Sequence, residues 1–304
     1  MKDLAAQLAQ IVHQHQWDKH YENLLQSALK DPDVQSFLTT YQIPPESAVI
    51  KRNLDAIYEF VHAKGQAHFT GDYQPHLIWV NQTIHVSYQP DAALRQRQRQ
   101  QYFQQKFQTI DMASDVRQAS LEDFAKGAEG RLAAYVAALE FVATYSQHSG
   151  EFIPGLYLAG DFGVGKTYLL AAIANELVHK DHNVLLVHFP TFAVQMKNAI
   201  GDNSVLERVH KIQAVPILML DDLGADALSS WIRDEVLGVI LQYRMQEKLP
   251  TFFSSNFTMH DLKLHLAVNQ RGDQEPIKAA RIMERIRFLA REVIVAGPNR
   301  RFEK

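Results

Sequence analysis

Eight consecutive residues in the second half of the chain have the composition and spacing of a phosphate-binding loop. They match the pattern G-x-x-x-x-G-K-[ST] and are Gly160, Asp161, Phe162, Gly163, Val164, Gly165, Lys166 and Thr167. Glycines let the backbone turn its N–H groups toward phosphate oxygens, lysine supplies a cation, and the threonine hydroxyl can ligate Mg²⁺. An apolar run over 156–158 precedes the loop and a helical pattern over 168–179 follows it. The segment therefore predicts a site for ATP.

A pair of carboxylates lies where such a site would need a metal ligand. Asp221 and Asp222 directly follow the apolar run over 215–220, which is typical of a buried strand. Carboxyl ends of parallel strands meet at one edge of a sheet, beside the phosphate loop. We expect Asp221 to hold Mg²⁺ together with Thr167, and Asp222 to polarise the attacking water. The alternative is a pair of turn aspartates before Leu223 and Gly224.

Two further sets of polar residues could complete the site. Asn256 follows the apolar and polar run FFSS and could reach between a metal-bound carboxylate and the γ-phosphate, although Ser-Asn is also common in turns. The stretch 277–304 carries eight Lys or Arg and three Asp or Glu. Arg281 and Arg285 are four residues apart and thus share a helix face. Such an arginine could neutralise transition-state charge at a neighbouring subunit's ATP, or could simply belong to an exposed basic face.

The elements around these residues alternate between strands and helices. The β-rich runs are Gly155–Ala159, Val184–Phe189, Ile217–Leu220, Thr251–Ser254 and Glu292–Ala296. Strands that alternate with helices favour an α/β fold with a parallel, doubly wound sheet. The helix over 131–145 leads into this domain.

The region before residue 108 has a different pattern. Apolar residues at helical spacing, such as Leu4, Leu8 and Leu24, predict a mostly helical segment over the first sixty residues, with a further helix starting near Pro45. Two apolar runs over 77–80 and 84–88 predict a small hairpin. The first sixty residues carry five Lys or Arg and eight Asp or Glu, which suits contact with a protein better than contact with phosphates. We expect domains at 1–108 and 131–304, joined by a linker over 109–130.

The segment RQRQRQQYFQQKFQ, residues 95–108, contains four basic residues and no acidic ones. A solvated helix face or linker is the favoured interpretation, with a nucleic-acid contact as the alternative.

Composition limits the remaining function classes. The chain has 304 residues, of which 46% are hydrophobic and none is cysteine, so disulfides, thiolate zinc sites and cysteine nucleophiles are excluded. No apolar run approaches the roughly 20 residues of a membrane span, and the N-terminus lacks a signal-peptide core. We therefore expect a cytoplasmic protein without a membrane partner.

Taken together, the motifs resemble the bacterial helicase loaders of the AAA+ class, which lie near the DnaC and IstB ATPases. The segments GDFGVGKTYLL, LMLDDLGAD, SSWIRDEVLGVILQYR, LPTFFSSNF and AARIMERIRFLA carry the resemblance, which is dense over 120–304 and thinner before residue 110. It implies a P-loop AAA+ domain with a reduced lid, since only 48 residues follow Asn256 (304 − 256).

The resemblance also implies roles for individual residues. Lys166 and Thr167 fall on the Walker A positions, Asp221 and Asp222 on Walker B, and Asn256 on sensor 1.

Further along the chain, Arg285 best matches the arginine finger, Arg281 is second, and Arg300 falls near a second sensor. The segment after Phe189 matches a helix that contacts single-stranded DNA in the family, so Phe192 could stack on a base and Lys197 could meet a phosphate. A surface helix that packs Phe192 into the core is the alternative.

In one feature the chain departs from the family. Relatives bind zinc through cysteines in the N-terminal domain, and this chain has no cysteine. His62, His68, His76 and His85 lie in that region, but structural zinc sites favour thiolate, so we expect no zinc.

The implied function is an ATP-dependent loader of the hexameric replicative helicase. Its 1–108 domain would bind the helicase, and its ATPase domain would sense ATP, Mg²⁺ and single-stranded DNA. It would associate with itself on the helicase and work with other primosome proteins, with modest, switch-like hydrolysis. The alternatives are a transposition helper ATPase of the IstB type, a P-loop small-molecule kinase, and a module that binds ATP without hydrolysing it.

Overall fold

The computed structural model describes residues 26–65, 72–124, 129–148, 150–225 and 228–300, and the chain divides into two units, Met1–Gln100 and Gln101–Lys304. The helices predicted before residue 26 lie outside the described residues. Within the described residues, no helix is both long enough and apolar enough to cross a bilayer.

The first unit packs short helices against a hairpin. Its elements are α1 (Pro32–Thr40), α2 (Ala48–Arg52), α3 (Leu54–Gly65), β1 (Tyr73–Val80) and β2 (Thr83–Pro90). Asp31 caps α1 by accepting the N–H groups of Asp33 and Val34. The hairpin is confirmed as an antiparallel pair, and its turn residues Asn81 and Gln82 have positive φ angles of 50° and 60°.

The helix predicted from Pro45 is interrupted. It forms two helices, α2 and α3, which meet at Asn53, a residue outside the helical region with φ −114° and ψ 23°. The Asn53 side chain donates to the carbonyl of Val49 at 2.8 Å, so it competes with the helical backbone bonds. Ile50 of α2 and Ile57 of α3 are both buried in the core of the unit.

The second unit contains a six-stranded parallel sheet of order β3-β5-β6-β7-β4-β8. Its strands are β3 (Phe107–Ile110), β4 (Gly155–Ala159), β5 (Val184–His188), β6 (Ile217–Asp221), β7 (Thr251–Ser255) and β8 (Ala290–Ile294). Of the four central strands, β4, β5 and β6 are nearly continuous apolar runs, and β7 is fully buried although it contains Thr251, Ser254 and Ser255, as expected where both faces of a sheet are covered. The α/β doubly wound fold is confirmed, although β8 begins two residues earlier than predicted.

Helices cover both faces of this sheet. One face is covered by α5 (Glu129–Gln147) and α6 (Lys166–His179). The other face is covered by α7 (Phe189–Asn198), α8 (Val205–Gln213), α9 (Gly238–Gln246), α10 (Met259–Leu266) and α11 (Pro276–Leu289). A π-helical segment (Ile232–Leu237) leads directly into α9. Among the described residues after Asn256, α10, α11 and β8 are the regular elements, in keeping with the short lid expected there.

The structure corrects the predicted linker. Residues 92–106 form a helix, α4 (Ala92–Lys106), and the next four residues form β3, which pairs with β5 at the edge of the sheet. Phe107 is fully buried, and Val116, Leu121 and Phe124 are buried in the same core. The division between the units falls at Gln100, inside α4, rather than at 108–130. A four-residue strand directly after a polar helix has no turn signal, so the sequence pattern did not reveal it.

Candidate nucleotide site

The phosphate loop connects the end of β4 to the start of α6. Gly163 and Gly165 have φ angles of 76° and 102°, a left-handed conformation that favours glycine. A Cβ added to Gly163 would overlap Oδ1 of Asn299, so a side chain there would also displace the exposed Asn299 side chain. No side chain caps the start of α6, which leaves its first N–H groups to bind an anion.

The side chains of the loop divide between solvent and core. Phe162 is 63% exposed and Asp161 is exposed, whereas Val164 is buried. The buried Arg131 donates from Nη2 to the carbonyl of Val164 at 2.6 Å. The loop is therefore anchored on its inner side by α5, while its outer side remains open to a ligand.

Lys166 reaches across the mouth of the loop. Its Nζ donates to the carbonyls of Gly160 and Asp161, both at 2.8 Å, and to Oδ1 of Asn256 at 2.7 Å. The structure thus brings together Lys166 and Asn256, which lie 90 residues apart in the chain. An ammonium held by three neutral acceptors can exchange one of them for a phosphate oxygen.

Thr167 and Asp221 form the candidate metal site. The Oγ1 of Thr167 lies 3.0 and 3.1 Å from the two carboxylate oxygens of Asp221. Asp221 is 2% exposed, and this burial raises the pKa of its carboxyl group above the usual range. A bound cation would favour the charged form of such a carboxylate, and an all-oxygen ligand pair is what Mg²⁺ prefers.

The sequence analysis missed Ser254, which links the Asp221 carboxylate to the Asp222 backbone. Its Oγ donates to Oδ1 of Asp221 at 2.5 Å and accepts the backbone N–H of Asp222 at 2.9 Å. The signal that could have found it is a hydroxyl residue directly after the apolar pair Phe252 and Phe253 in the fully buried strand β7. Such a residue needs a hydrogen-bonding partner, and the parallel neighbour β6 ends in one.

Asp222 lies in a different environment from Asp221. Its φ angle is 61° and it is half-buried. Its carboxylate has Nδ2 of Asn256 at 3.5 Å on one oxygen and Nε2 of His188 at 4.0 Å on the other. His188 ends β5 and was also missed by the sequence analysis; its Nδ1 lies 2.8 Å from Oγ1 of Thr191. A half-buried carboxylate beside an asparagine is suited to contact a water molecule.

The C-terminal arginines occupy distinct places. Arg281 is exposed on α11, whereas Arg285 is half-buried and donates from Nη1 to the carbonyl of Gly238 at 2.8 Å. Burial lowers the pKa of Arg285. The backbone N–H of Arg300 donates to the carbonyl of Gly163 at 3.1 Å, so this residue lies against the phosphate loop.

The structure corrects the predicted DNA contact at Phe192. Its side chain is 2% exposed and packs in the core beside Phe189, with ring centroids 6.2 Å apart. A base has no access to this ring, so the prediction of stacking is wrong and the alternative of core packing applies. Lys197 is exposed on the same helix, α7.

The histidines of the first unit were considered as possible zinc ligands. Of the four histidines considered for zinc, His68 lies outside the described residues, while His62, His76 and His85 lie within them. In the described residues no group of three or more His, Cys, Asp or Glu side chains is arranged to hold a metal ion. The ring of His62 instead stacks on Tyr58, with centroids 5.7 Å apart.

Two family descriptions match the chain. Residues 1–88 match the family described as "Primosomal protein DnaI N-terminus", and residues 116–263 match "Bacterial DnaA ATPase domain". The second unit is thus related to nucleotide-binding domains of the AAA+ class. The two matches lie on either side of α4.

Individual relatives extend this similarity to the whole chain. The replicative helicase loader DnaI of Bacillus subtilis (strain 168) is 34% identical over 311 residues, which cover 99% of each chain. The replicative helicase loader DnaC of Escherichia coli (strain K12) is 25% identical over 173 residues, 56% of this chain and 69% of DnaC. A crystal structure described as that of DnaI is 48% identical, with a TM-score of 0.58 over 66% of this chain and 99% of the other. Because the first of these similarities covers both units, the chain belongs to the DnaI family of replicative helicase loaders.

Proposed function

We propose that this chain binds the hexameric replicative helicase and places it on single-stranded DNA, with ATP as the switch. The observation that carries the proposal is the 34% identity over 99% of the chain, which includes the first unit. A transposition helper or a P-loop kinase would share the nucleotide motifs but would have no reason to share residues 1–88. The match of these residues to the DnaI N-terminus supports the loader over both alternatives.

The two units have separate tasks in this proposal. The first unit binds the helicase, and its acidic balance over the first sixty residues suits a protein partner. The second unit binds ATP and senses DNA, and further copies of the chain associate with one another on the helicase. Other primosome proteins act with it.

The geometry of the loop fits a nucleoside triphosphate. The N–H groups of the loop and the start of α6 would bind the phosphates, and Lys166 would contact the β- and γ-phosphates. Thr167 and Asp221 would hold Mg²⁺, because they place a hydroxyl and a carboxylate side by side at the end of the loop. When bound, Mg²⁺ neutralises charge on the phosphate oxygens.

Hydrolysis would use the second carboxylate. Asp222 would orient the attacking water and accept its proton as the oxygen attacks the γ-phosphorus, while ADP leaves with the electrons of the broken P–O bond. Asn256 faces both Lys166 and Asp222, so it can couple the presence of the γ-phosphate to the position of the Asp222 carboxylate. An arginine of α11, Arg285 or Arg281, would complete the site of an adjacent copy. Arg300 would act as a second sensor from its place against the phosphate loop. This arrangement supports slow hydrolysis that depends on assembly.

The test uses the full chain, the cognate helicase hexamer and circular single-stranded DNA. A circle has no ends, so stable helicase on it requires that the ring was opened. We expect the chain to form a complex with the helicase in native mass spectrometry and to increase the amount of helicase on the circle when MgATP is present. A chain that binds ATP but neither binds nor transfers the helicase would overturn the proposal.

A further inference from the structure

Helix α4 buries none of its 15 residues. Its sequence, AALRQRQRQQYFQQK, has four cations, six glutamines and no acid. Arg95 and Arg99 are four residues apart, and like charges at this spacing destabilise an isolated helix. Toward the end of α4, Phe103 packs against Phe107 and His179 of the second unit. The segment from Arg95 to Gln101 is polar on all sides, as in a helix that bridges two domains through solvent, and α4 has no acidic residue with which to form internal ion pairs.

Most of the charged groups near α4 are already engaged. Arg97 pairs with Asp72 at 2.5 Å, and Lys106 pairs with Asp181 at 2.9 Å. The hydroxyl of Tyr102 also donates to Asp181. These interactions account for one side of the helix and for its last turn.

Arg95 and Arg99 differ from these residues. They lie about 40° apart around the helix and about 6 Å apart along it, roughly opposite Arg97. Both are exposed, and within the described part of the chain neither forms a salt bridge. The preceding acid, Asp91, caps the helix instead, with its carboxylate 2.5 Å from the N–H of Leu94. Within the described residues, the positive charge of the cationic face of α4, defined by Arg95 and Arg99, is thus not neutralised by a salt bridge.

We propose that the cationic face of α4 binds the phosphate backbone of single-stranded DNA. Guanidinium groups donate paired hydrogen bonds that match phosphate oxygens, and the neighbouring glutamines add amide donors. Tyr102 continues this face and is 46% exposed, but its hydroxyl is already bonded to Asp181. Between Arg95 and Gln101 the helix has no apolar or aromatic side chain. Protein interfaces usually depend on such anchors, whereas a polyanion needs only charge and donors. The proposal rests on the proposed function and deepens it, because a loader must hold the strand on which it places the helicase. Arg95 and Arg99 lie before Gln100, so they add a contact from the first unit to the sensing of DNA by the second.

The test measures binding of a fluorescein-labelled oligo(dT) to the full chain with MgATP, by anisotropy over a range of salt concentrations. For each phosphate that a variant no longer neutralises, the slope of log K against log salt should decrease by about 0.7. Near 0.1 M salt this corresponds to about fivefold weaker binding for Arg99→Gln and about twenty-five-fold for the double variant R95Q/R99Q.

The matched control is Arg97→Gln, which removes the same charge from the same helix on the opposite side. It should change affinity less than twofold, and circular dichroism should show that all variants keep their helix content. Equal effects of R97Q and R99Q, no effect of R95Q/R99Q, or no oligonucleotide binding by the unmodified chain would each overturn the proposal.

Binding of the helicase is measured on the same proteins and keeps the two proposals apart. If R95Q/R99Q loses the helicase while its DNA binding is unchanged, α4 contacts a protein and the DNA proposal is wrong. If the unmodified chain fails to bind the helicase but binds DNA through Arg95 and Arg99, the loader function fails and the α4 proposal stands.

Discussion

The two units of the chain place their polar groups in opposite ways. In the second unit, buried polar side chains such as Lys166, Asp221 and Ser254 meet at the carboxyl edge of a parallel sheet. In the described part of the first unit, Asn53 is the buried polar side chain, and it bonds to the backbone of the preceding helix, α2. Chemistry therefore lies inside the second unit, whereas any function of the first unit depends on its surface.

The two units also differ in the extent of their hydrophobic cores. The second unit has apolar clusters on both faces of a six-stranded sheet, whereas the first unit has one cluster between short helices and a two-stranded hairpin. A two-stranded hairpin is stable only when it packs on something else. The comparison implies that the units have separate stabilities and separate tasks.

The largest expected effect tests the separation of tasks. Replacing Lys166 with Ala removes the cation that crosses the loop, so ATP binding and hydrolysis should fall to background. Helicase binding measured without nucleotide should be unchanged, because in our proposal it depends on the first unit. Nucleotide binding is followed by isothermal titration calorimetry and helicase binding by native mass spectrometry.

The control for this experiment lies on the same helix. Lys180→Ala removes an equal charge at the other end of α6, where the side chain is exposed, and should leave both activities unchanged. Unchanged ATP affinity in Lys166→Ala would contradict the proposed site. Loss of nucleotide-free helicase binding in the same variant would contradict the separation of the units.

The second prediction concerns stability. Arg244 is fully buried, and its guanidinium donates to the carbonyls of Gln213, Val215, Pro216 and Pro250 and to Oγ1 of Thr251. Burial lowers its pKa to about 9. Arg244→Ala leaves these acceptors unsatisfied and should destabilise the second unit by about 3–5 kcal/mol. Urea unfolding followed by circular dichroism would measure this change.

A matched substitution in the first unit sharpens the comparison. Ile57 is fully buried in the core of that unit, and Ile57→Ala should cost about 2–5 kcal/mol there. Each variant should shift one unfolding transition and leave the other in place. A single transition that shifts in both variants would show that the units unfold together.

The same contrast explains how much could be predicted from the sequence. The phosphate loop, Asp221 and Asn256 could be named as candidates because each stands at the end of a recognisable strand, and the parallel topology brings these strand ends together. Lys166 and Asn256 could be named from sequence, but their direct contact depends on the order of strands in the sheet, which local patterns do not encode.

The residues that were missed have physical reasons as well. Ser254 and His188 act through neighbours on adjacent strands, so their partners are distant in sequence. Phe192 has helical spacing, but spacing alone does not say which side of α7 faces the core. The edge strand β3 follows a helix without a turn residue, and its one strong signal is the buried Phe107.

The third prediction separates the two arginines of α11. Arg281 is exposed, whereas Arg285 donates to the carbonyl of Gly238 in its own chain. A residue that serves a neighbouring copy must be accessible, so Arg281→Ala should lower helicase-stimulated kcat by at least about tenfold without changing ATP affinity. Arg287→Ala, on the same helix and also exposed, is the control. If only Arg285→Ala lowers kcat without loss of stability, the finger is Arg285 and its bond to Gly238 must break on assembly.

The smallest expected effect is a pH dependence confined to the second unit. Glu275 accepts hydrogen bonds from Lys278, the buried Arg233 and Ser230, and these partners lower its pKa to about 2 from an ordinary value of 4.5. The folded state therefore favours the charged carboxylate. Its stabilising contribution is complete above pH 4.5 and is lost as the pH falls toward 2.

Glu275→Gln should consequently lower the urea midpoint of the second unit at pH 7, and the difference from the unmodified chain should shrink between about pH 4.5 and about pH 2. Glu247→Gln, at an exposed position after α9, should show no such convergence. The first-unit transition should be unaffected in both variants, because the Glu275 network lies wholly within residues 230–278. If Glu275→Gln also changed the urea midpoint of the first unit, the stability of that unit would depend on the Glu275 network. This result would contradict the inference, drawn from the separate cores, that the two units unfold independently.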